Sequence, residues 1–224
     1  MLVKKEKYDM IVGIDEVGRG PLAGSVCVGA VVLTKEQHKR LTIHQRNKTR
    51  PNKFSKNFPG VLRDSKKLSE SQRKEWVFWI RKNKITHTTA SVSHAVIDAT
   101  TITRACNRAA QKVYDTVART IKKGARVLVI ADGSLMVRTH NIATIFRHFP
   151  KADETVSAVS LASIVAKVSR DAAMIRLAKK YPQYGFDEHK GYGTQKHIHA
   201  IKKHGPSPIH RAGFLKNICT RPIK

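Results

Sequence analysis

An Asp-Glu pair, Asp15-Glu16, directly follows the apolar run Ile11–Ile14, and Asp132 directly follows Val127–Ala131. Both are strand C-terminal ends, where α/β sheets place their ligands. A third position, Asp171, follows Ser163 and Lys167 at i, i+4, i+8 spacing, a polar stripe on an otherwise apolar helix. These acids carry information because acids are scarce: the 224 residues include 16 Asp and Glu against 43 Lys and Arg, a formal net charge of +27. Carboxylates brought together repel and raise one another's pKa, so a cluster needs cations among its members. Oxygen donors alone suit a hard divalent ion, Mg²⁺ or Mn²⁺. Beside a surface that binds polyanions, such a site suggests metal-assisted phosphodiester chemistry. Taken singly, each acid has a plainer explanation. Asp15 and Asp132 would serve as turn or cap residues, and Asp171 as the partner of Lys167 in a surface ion pair.

The elements that must position these acids are legible from period and punctuation. Ile11–Ile14, the alternating 25–33 stretch and Ile85–Val92 read as strands, and the wholly apolar Val127–Ala131 reads as a buried, parallel one. The first two are joined by GRGPLAG, whose glycines let backbone approach a ligand closely. Ser69 with Gln72 is a capping-box pattern opening a helix through Trp76, Val77 and Ile80. Ile102, Ala105, Ala109, Val113, Val117 and Ile121 keep helical spacing up to Gly124, and 156–180 reads as a third long helix before Tyr181-Pro182. A short helix is expected near Gln195–Lys203.

Two stretches concentrate the excess charge. Residues 37–63 hold eight Lys or Arg and no acid, and within them RNKTRPNKFSKNFPG reads as a long exposed loop. Residues 189–224 hold eight Lys or Arg, five His and no acid. One such run is a solvated face; two in one chain point to a nucleic-acid contact surface. Three cysteines, far apart and without a CxxC pair, exclude a disulfide scaffold or a cysteine-rich zinc module. No apolar run long enough to span a bilayer occurs, and the first residues do not read as a signal peptide. A cytoplasmic protein, acting as a monomer and without membrane contact, is expected. Gly13 to Gly18 has P-loop spacing, but Arg19-Gly20 follows where Lys-Ser/Thr is required. His197, His199, His204 and His210 match no zinc spacing and are expected as neutral polar residues on a basic face.

The motif GIDEVGRGPLAG at 13–24 resembles ribonuclease HII. The resemblance continues in order at DSKKLS (64–69), ADG (131–133), ASIVAKVSRD (162–171), KGYGT (190–194) and HGPSPIHR (204–211). It implies a single ribonuclease H-like domain over 1–224. Its mixed five-stranded sheet, three antiparallel strands then two parallel, would be flanked by helices. A basic insertion near 46–61 and a basic helical C-terminal part over about 182–224 would complete it. The fifth strand would fall near Ile145–Phe149. The implied reaction is hydrolysis of RNA paired to DNA, including a single ribonucleotide embedded in duplex DNA, cut on its 5′ side to leave a 3′-hydroxyl and a 5′-phosphate. Asp15, Glu16, Asp132 and Asp171 match the family's metal-binding acids for two Mg²⁺ or Mn²⁺ ions. Gly18, Arg19 and Gly20 match the turn that senses the 2′-hydroxyl, and Tyr192 the tyrosine at the RNA–DNA junction. Lys66, Lys167 and Arg170 match basic residues with a phosphate role.

The chain departs from the family pattern at Val17, where alanine is usual, at the 46–61 insertion, at Thr101 in place of asparagine, and at AVSL before ASIVAK. The rival from another class is a non-catalytic RNA-binding protein, which composition alone favours but which has no need of paired acids at strand ends.

Overall fold

The computed structural model describes residues 6–46, 58–140 and 143–219. The expected insertion at 46–61 therefore lies mostly outside the described residues. Five strands, β1 (Met10–Val17), β2 (Val26–Thr34), β3 (His87–Val92), β4 (Val127–Asp132) and β5 (Thr144–Phe149), form one sheet in the order β3-β2-β1-β4-β5. β1 pairs antiparallel with β2, and β2 with β3, while β1–β4 and β4–β5 are parallel. This is the expected ribonuclease H-like sheet. β5 is an edge strand, and its exposed Arg147 and His148 break the apolar alternation that would have announced it.

One face of the sheet is covered by α6 (Ser157–Lys180), with α1 (Lys35–Arg46) and α2 (Glu70–Lys82) packed around it. Small residues set how closely α6 approaches. A Cβ on Gly13 would stand 2.2 Å from the Ala158 carbonyl carbon, and one on Gly29 2.4 Å from the Ala162 oxygen. Helix backbone thus lies directly on β1 and β2, with Ala158, Ala162 and Ala166 facing the sheet. The AVSL stretch is buried throughout. Val17 is buried against Cys27 and Ala166, so the extra bulk over alanine faces the interior.

α4 (Ile102–Ala118) covers the other face through Ala105, Cys106, Ala109, Ala110, Val113 and Val117. It stops at Ala118, short of the spacing that runs on to Ile121. Thr101 is its N-cap and accepts from the Arg104 N–H at 3.2 Å, so threonine performs the capping that an asparagine would. The Ser69–Gln72 capping box opens α2 as expected. α1 was hidden in the acid-free 37–63 run because its inner face carries His38, His44 and Gln45 beside Leu41.

Beyond α6 the chain adds α7 (Phe186–His189), α8 (Gln195–His204) and α9 (Ala212–Cys219). Together with α3 (His94–Ala99) and α5 (Ala152–Thr155), these complete the described helices longer than a single 3₁₀ turn. Leu22, Met174, Tyr184, Phe186, Ile201 and Leu215 form a separate core that fastens the C-terminal helices to α6 and to the turn after β1.

Candidate active site

β1 and β4 are parallel neighbours, with Ile14 opposite Ala131, so their C-terminal ends bring Asp15-Glu16 beside Asp132. Asp15 is buried at the register position facing Gly29 of β2, beneath α6. Burial drives its carboxyl well above the ordinary range, and the negative charges of Glu16, Asp132 and Asp153 add to this; a hydrogen bond with Ser163 on α6 opposes it. Burial also raises Glu16, with Arg19 opposing and Asp132 reinforcing. The Glu16 carboxylate reaches Arg19 at 3.2 Å through Oε1, while Oε2 is buried without a partner among the described residues. Asp132 Oδ1 accepts from the Ala152 N–H at 2.6 Å, which ties β4 to the start of α5.

That bond carries in an acid not marked in the sequence, Asp153. It is buried on α5, and its pKa is raised to about 6 by burial and by Asp132 and Asp64, against Lys66. Asp64 is itself nearly buried and caps the 3₁₀ turn Ser65–Lys67 by accepting from the Lys66 N–H at 3.0 Å. Burial works against the Lys66 ammonium, but Asp64, Asp153 and Asp15 outweigh it and hold its pKa above the usual lysine value. Lys66 thus sits at the exposed rim of the acid cluster.

Asp171 lies on the same α6 stripe as Ser163, eight residues farther on, which is about 12 Å along a helix axis. Its carboxylate is taken up by Lys167 at 2.8 Å and Arg73 at 3.8 Å. Asp153, by contrast, bears electrostatically on Asp15 and is itself pushed up by Asp132. Asp153 escaped notice because it follows no apolar run; the marks it does carry are the adjacent Glu154 and the scarcity of acids.

The arrangement suits a hard cation on chemical grounds. It offers oxygen donors only, buried like charges that raise one another, and an orphaned Glu16 oxygen. Among the described residues no three carboxylates, histidines or cysteines stand as a finished cation cage; Asp132 accepts from the Ala152 N–H and Glu16 from Arg19.

The Gly18-Arg19-Gly20 turn follows immediately. Gly18 has φ +98°, and a Cβ there would lie 2.2 Å from Arg170 Nε. Arg170 is 1% exposed and donates to the carbonyls of Ser25, Lys190 and Ala23. This corrects the phosphate-contacting role expected of it: its donors are consumed inside the protein, and it clasps the turn and the KGYGT loop to α6. Lys167 is mostly buried, and burial lowers its pKa against the pull of Asp171. Tyr192 is 39% exposed, with Lys167 Nζ 6.0 Å and the Arg170 guanidinium 5.7 Å from its ring centroid. Its ring is therefore backed by cations and open on its outer side. His197 and His210 depart from the expected basic face, since both are buried beneath this loop.

The sequence profile described as "Ribonuclease HII" matches residues 12–45 and 51–217. A "Ribonuclease HII" of Caldicellulosiruptor bescii is 38% identical over 95% of this chain and 90% of its own length. Among solved structures, ribonuclease H2 from Pyrococcus horikoshii OT3 superposes with a TM-score of 0.64 at 22% identity, covering 94% of this chain and 97% of that one. A Bst-RNase HIII solved in complex with Mn²⁺ superposes with a TM-score of 0.62 at 15% identity, over 99% of this chain and 74% of that one.

Proposed function

The chain belongs to the ribonuclease HII family, hydrolytic endoribonucleases that act on nucleic acid, and on this premise we propose its substrates, cofactor and site residues. It hydrolyses the RNA strand of RNA–DNA hybrids and cuts 5′ to single ribonucleotides embedded in duplex DNA, leaving a 3′-hydroxyl and a 5′-phosphate. The cofactor is Mg²⁺ or Mn²⁺, used as a pair of ions. The Mn²⁺ held by the structurally similar Bst-RNase HIII supports a divalent cofactor.

The observation that carries this reading is the acid cluster formed by Asp15, Glu16 and Asp132 at the adjoining ends of two parallel strands with Asp153 of α5, Asp15 and Asp153 buried and Glu16 and Asp132 half-buried, in a chain of net charge +27. These four carboxylates would hold the cations. When bound, the cations supply charge neutralisation and Lewis acidity toward the scissile phosphate. Glu16 Oε2 is the free acceptor best able to orient a water molecule. Ser163 steadies Asp15, and the Ala152 N–H steadies Asp132. Lys66 attracts the phosphate at the rim. Asp171 acts at one remove, by holding Lys167 beside Tyr192, whose open ring packs on the sugar, and by pairing with Arg73. Arg19, anchored to Glu16, joins the 2′-hydroxyl turn to the acid cluster.

The test is cleavage of a duplex carrying one ribonucleotide, an RNA–DNA hybrid and an all-DNA duplex, each with Mg²⁺, Mn²⁺ or chelator. Metal-dependent cuts in the first two are expected. Cutting that persists in chelator, or that ignores the ribonucleotide, would overturn the reading.

A further inference from the structure

Arg211 lies in the acid-free C-terminal run, where an arginine is expected to face phosphate. It is instead 0% exposed, and all three of its side-chain nitrogens donate to main-chain carbonyls. Nε reaches Gly24 at 2.9 Å, Nη1 reaches Arg19 at 2.8 Å and Nη2 reaches Gly18 at 2.7 Å. The main chain reinforces this contact. The Arg211 N–H donates to the Leu22 carbonyl at 2.8 Å, the Gly24 N–H to Ile209 at 2.9 Å, and Ala23 forms an isolated bridge with His210. Residues 209–211 are thus stitched along the segment that leaves the Gly18-Arg19-Gly20 turn.

Peptide planarity converts this clasp into a statement about the opposite side of the turn. In a trans peptide the C=O of one residue and the N–H of the next point in opposite directions. With the Gly18 and Arg19 carbonyls held inward by Arg211, the N–H groups of Arg19 and Gly20 must face away from it. Among the described residues neither N–H has a main-chain acceptor. Gly20 is exposed, and a Cβ built there would meet nothing within 4 Å, so the outer face is open.

We propose that Arg211 is a specificity-positioning residue, which by pinning the Gly18, Arg19 and Gly24 carbonyls presents the Arg19 and Gly20 N–H groups as fixed donors to a ribonucleotide 2′-hydroxyl. The inference rests on the substrate reading above. Burying a guanidinium is costly, and burial lowers its pKa to about 10. Filling the space alone would need no charge. Three carbonyls converging on one guanidinium do need donors in a planar fork, which lysine cannot supply.

The experiment compares wild type with Arg211→Lys on a duplex containing one ribonucleotide and on the all-DNA duplex of the same sequence. It measures kcat and KM with Mg²⁺ on the first, Kd on both, and Tm. The variant should lose at least thirtyfold in kcat/KM and most of its binding preference for the ribonucleotide duplex, with Kd for all-DNA within about twofold. A purely structural role would lower Tm and leave that preference intact. Asp98→Asn loosens the same segment from its far side, because Asp98 accepts from the N–H groups of Ala212 at 2.9 Å and Gly213 at 3.1 Å. It should give a smaller loss of preference of the same sign, and it serves where Arg211→Lys does not fold. A preference unchanged in whichever variants fold overturns the assignment. A wild type that cuts neither duplex instead overturns the functional reading beneath it.

Discussion

His197 and His210 meet through their Nε2 atoms, 3.0 Å apart, inside the protein. Their other contacts fix which nitrogen carries hydrogen. His210 Nδ1 accepts from the Ser207 N–H at 2.8 Å, so its proton is on Nε2 and is donated to His197 Nε2. His197 then carries its proton on Nδ1 and donates it to the Tyr192 carbonyl at 2.9 Å. The chain of bonds is complete only with both rings neutral, and it ends on the main chain of the residue assigned to the sugar.

Folding should therefore weaken in acid. Burial, with His189 and His210 adding to it, holds the His197 pKa at about 4, whereas an unfolded histidine titrates near 6.5. Between those values the unfolded chain binds more protons, so this group's contribution to stability is full above about pH 6.5, falls as pH drops, and levels off below about 4. Urea midpoints for wild type and His197→Gln across pH 4–7 isolate the contribution. The difference between the two should shrink toward the acid end, and a difference that is constant with pH would refute the neutral pairing.

Asp153→Asn and Asp171→Asn should separate a ligand from a positioning residue. Asn at 153 removes a carboxylate that bears electrostatically on Asp15 and is itself pushed up by Asp132, so kcat should fall at least a hundredfold while thermal stability holds or rises as repulsion is relieved. Asn at 171 leaves Lys167 and Arg73 without their carboxylate, so KM should rise more than kcat falls. Calorimetric titration with Mn²⁺ gives a second readout: weakened by Asp153→Asn, nearly unchanged by Asp171→Asn. The reverse pattern would return Asp171 to the ligand set.

Gly18→Ala joins two penalties at one position. A left-handed φ of +98° is strained for any L residue, by about 1–2 kcal/mol, and the new Cβ would press on Arg170 Nε. Arg170 must then shift, and with it the bonds to Ser25 and Lys190. A Tm lowered by several degrees is expected, with discrimination for the ribonucleotide falling further than affinity for duplex DNA. A variant with wild-type Tm and discrimination would remove both the strain and the clasp from the account.

How far the sequence discloses this depends on whether a residue's type matches its surroundings. β1 and β4 are legible because strands buried on both faces read as apolar runs, with Asp15-Glu16 and Asp132 standing out at their ends, and β2 shows through the alternation over 25–33. β5 carries Arg147 and His148 toward solvent and shows through the resemblance alone. α1 hides its inner face in histidine and glutamine. Asp153 lies in a short polar helix that periodicity does not register. Arg170 matches a phosphate-contacting residue, and Arg211, His197 and His210 fall in a run that reads as a basic face, yet all four are buried. Their role as main-chain donors and acceptors depends on contacts between segments far apart in sequence, which one-dimensional pattern does not contain.

The insertion should act on binding and not on chemistry, and the structure sets where it can be cut. Phe58 must stay, because its ring lies 5.3 Å from Trp79 and 4.5 Å from His44, and His44 Nε2 meets the Gly60 carbonyl at 2.6 Å. Replacing 47–57 by a short Gly-Ser link removes Lys48, Arg50, Lys53 and Lys56 and leaves that packing whole. Each phosphate contact contributes roughly −0.9 to the log–log salt slope, so loss of these cations should flatten the slope by up to about 3.6. KM should rise accordingly. The acid cluster, the Gly18–Gly20 turn and Tyr192 are held by β1, β4, α5, α6 and the C-terminal segment, so kcat should stay within about tenfold, under roughly 1.4 kcal/mol of barrier. An inert spacer would leave slope and KM unchanged. A collapse of kcat or of ribonucleotide selectivity at constant KM would show that the insertion helps to build the active site itself.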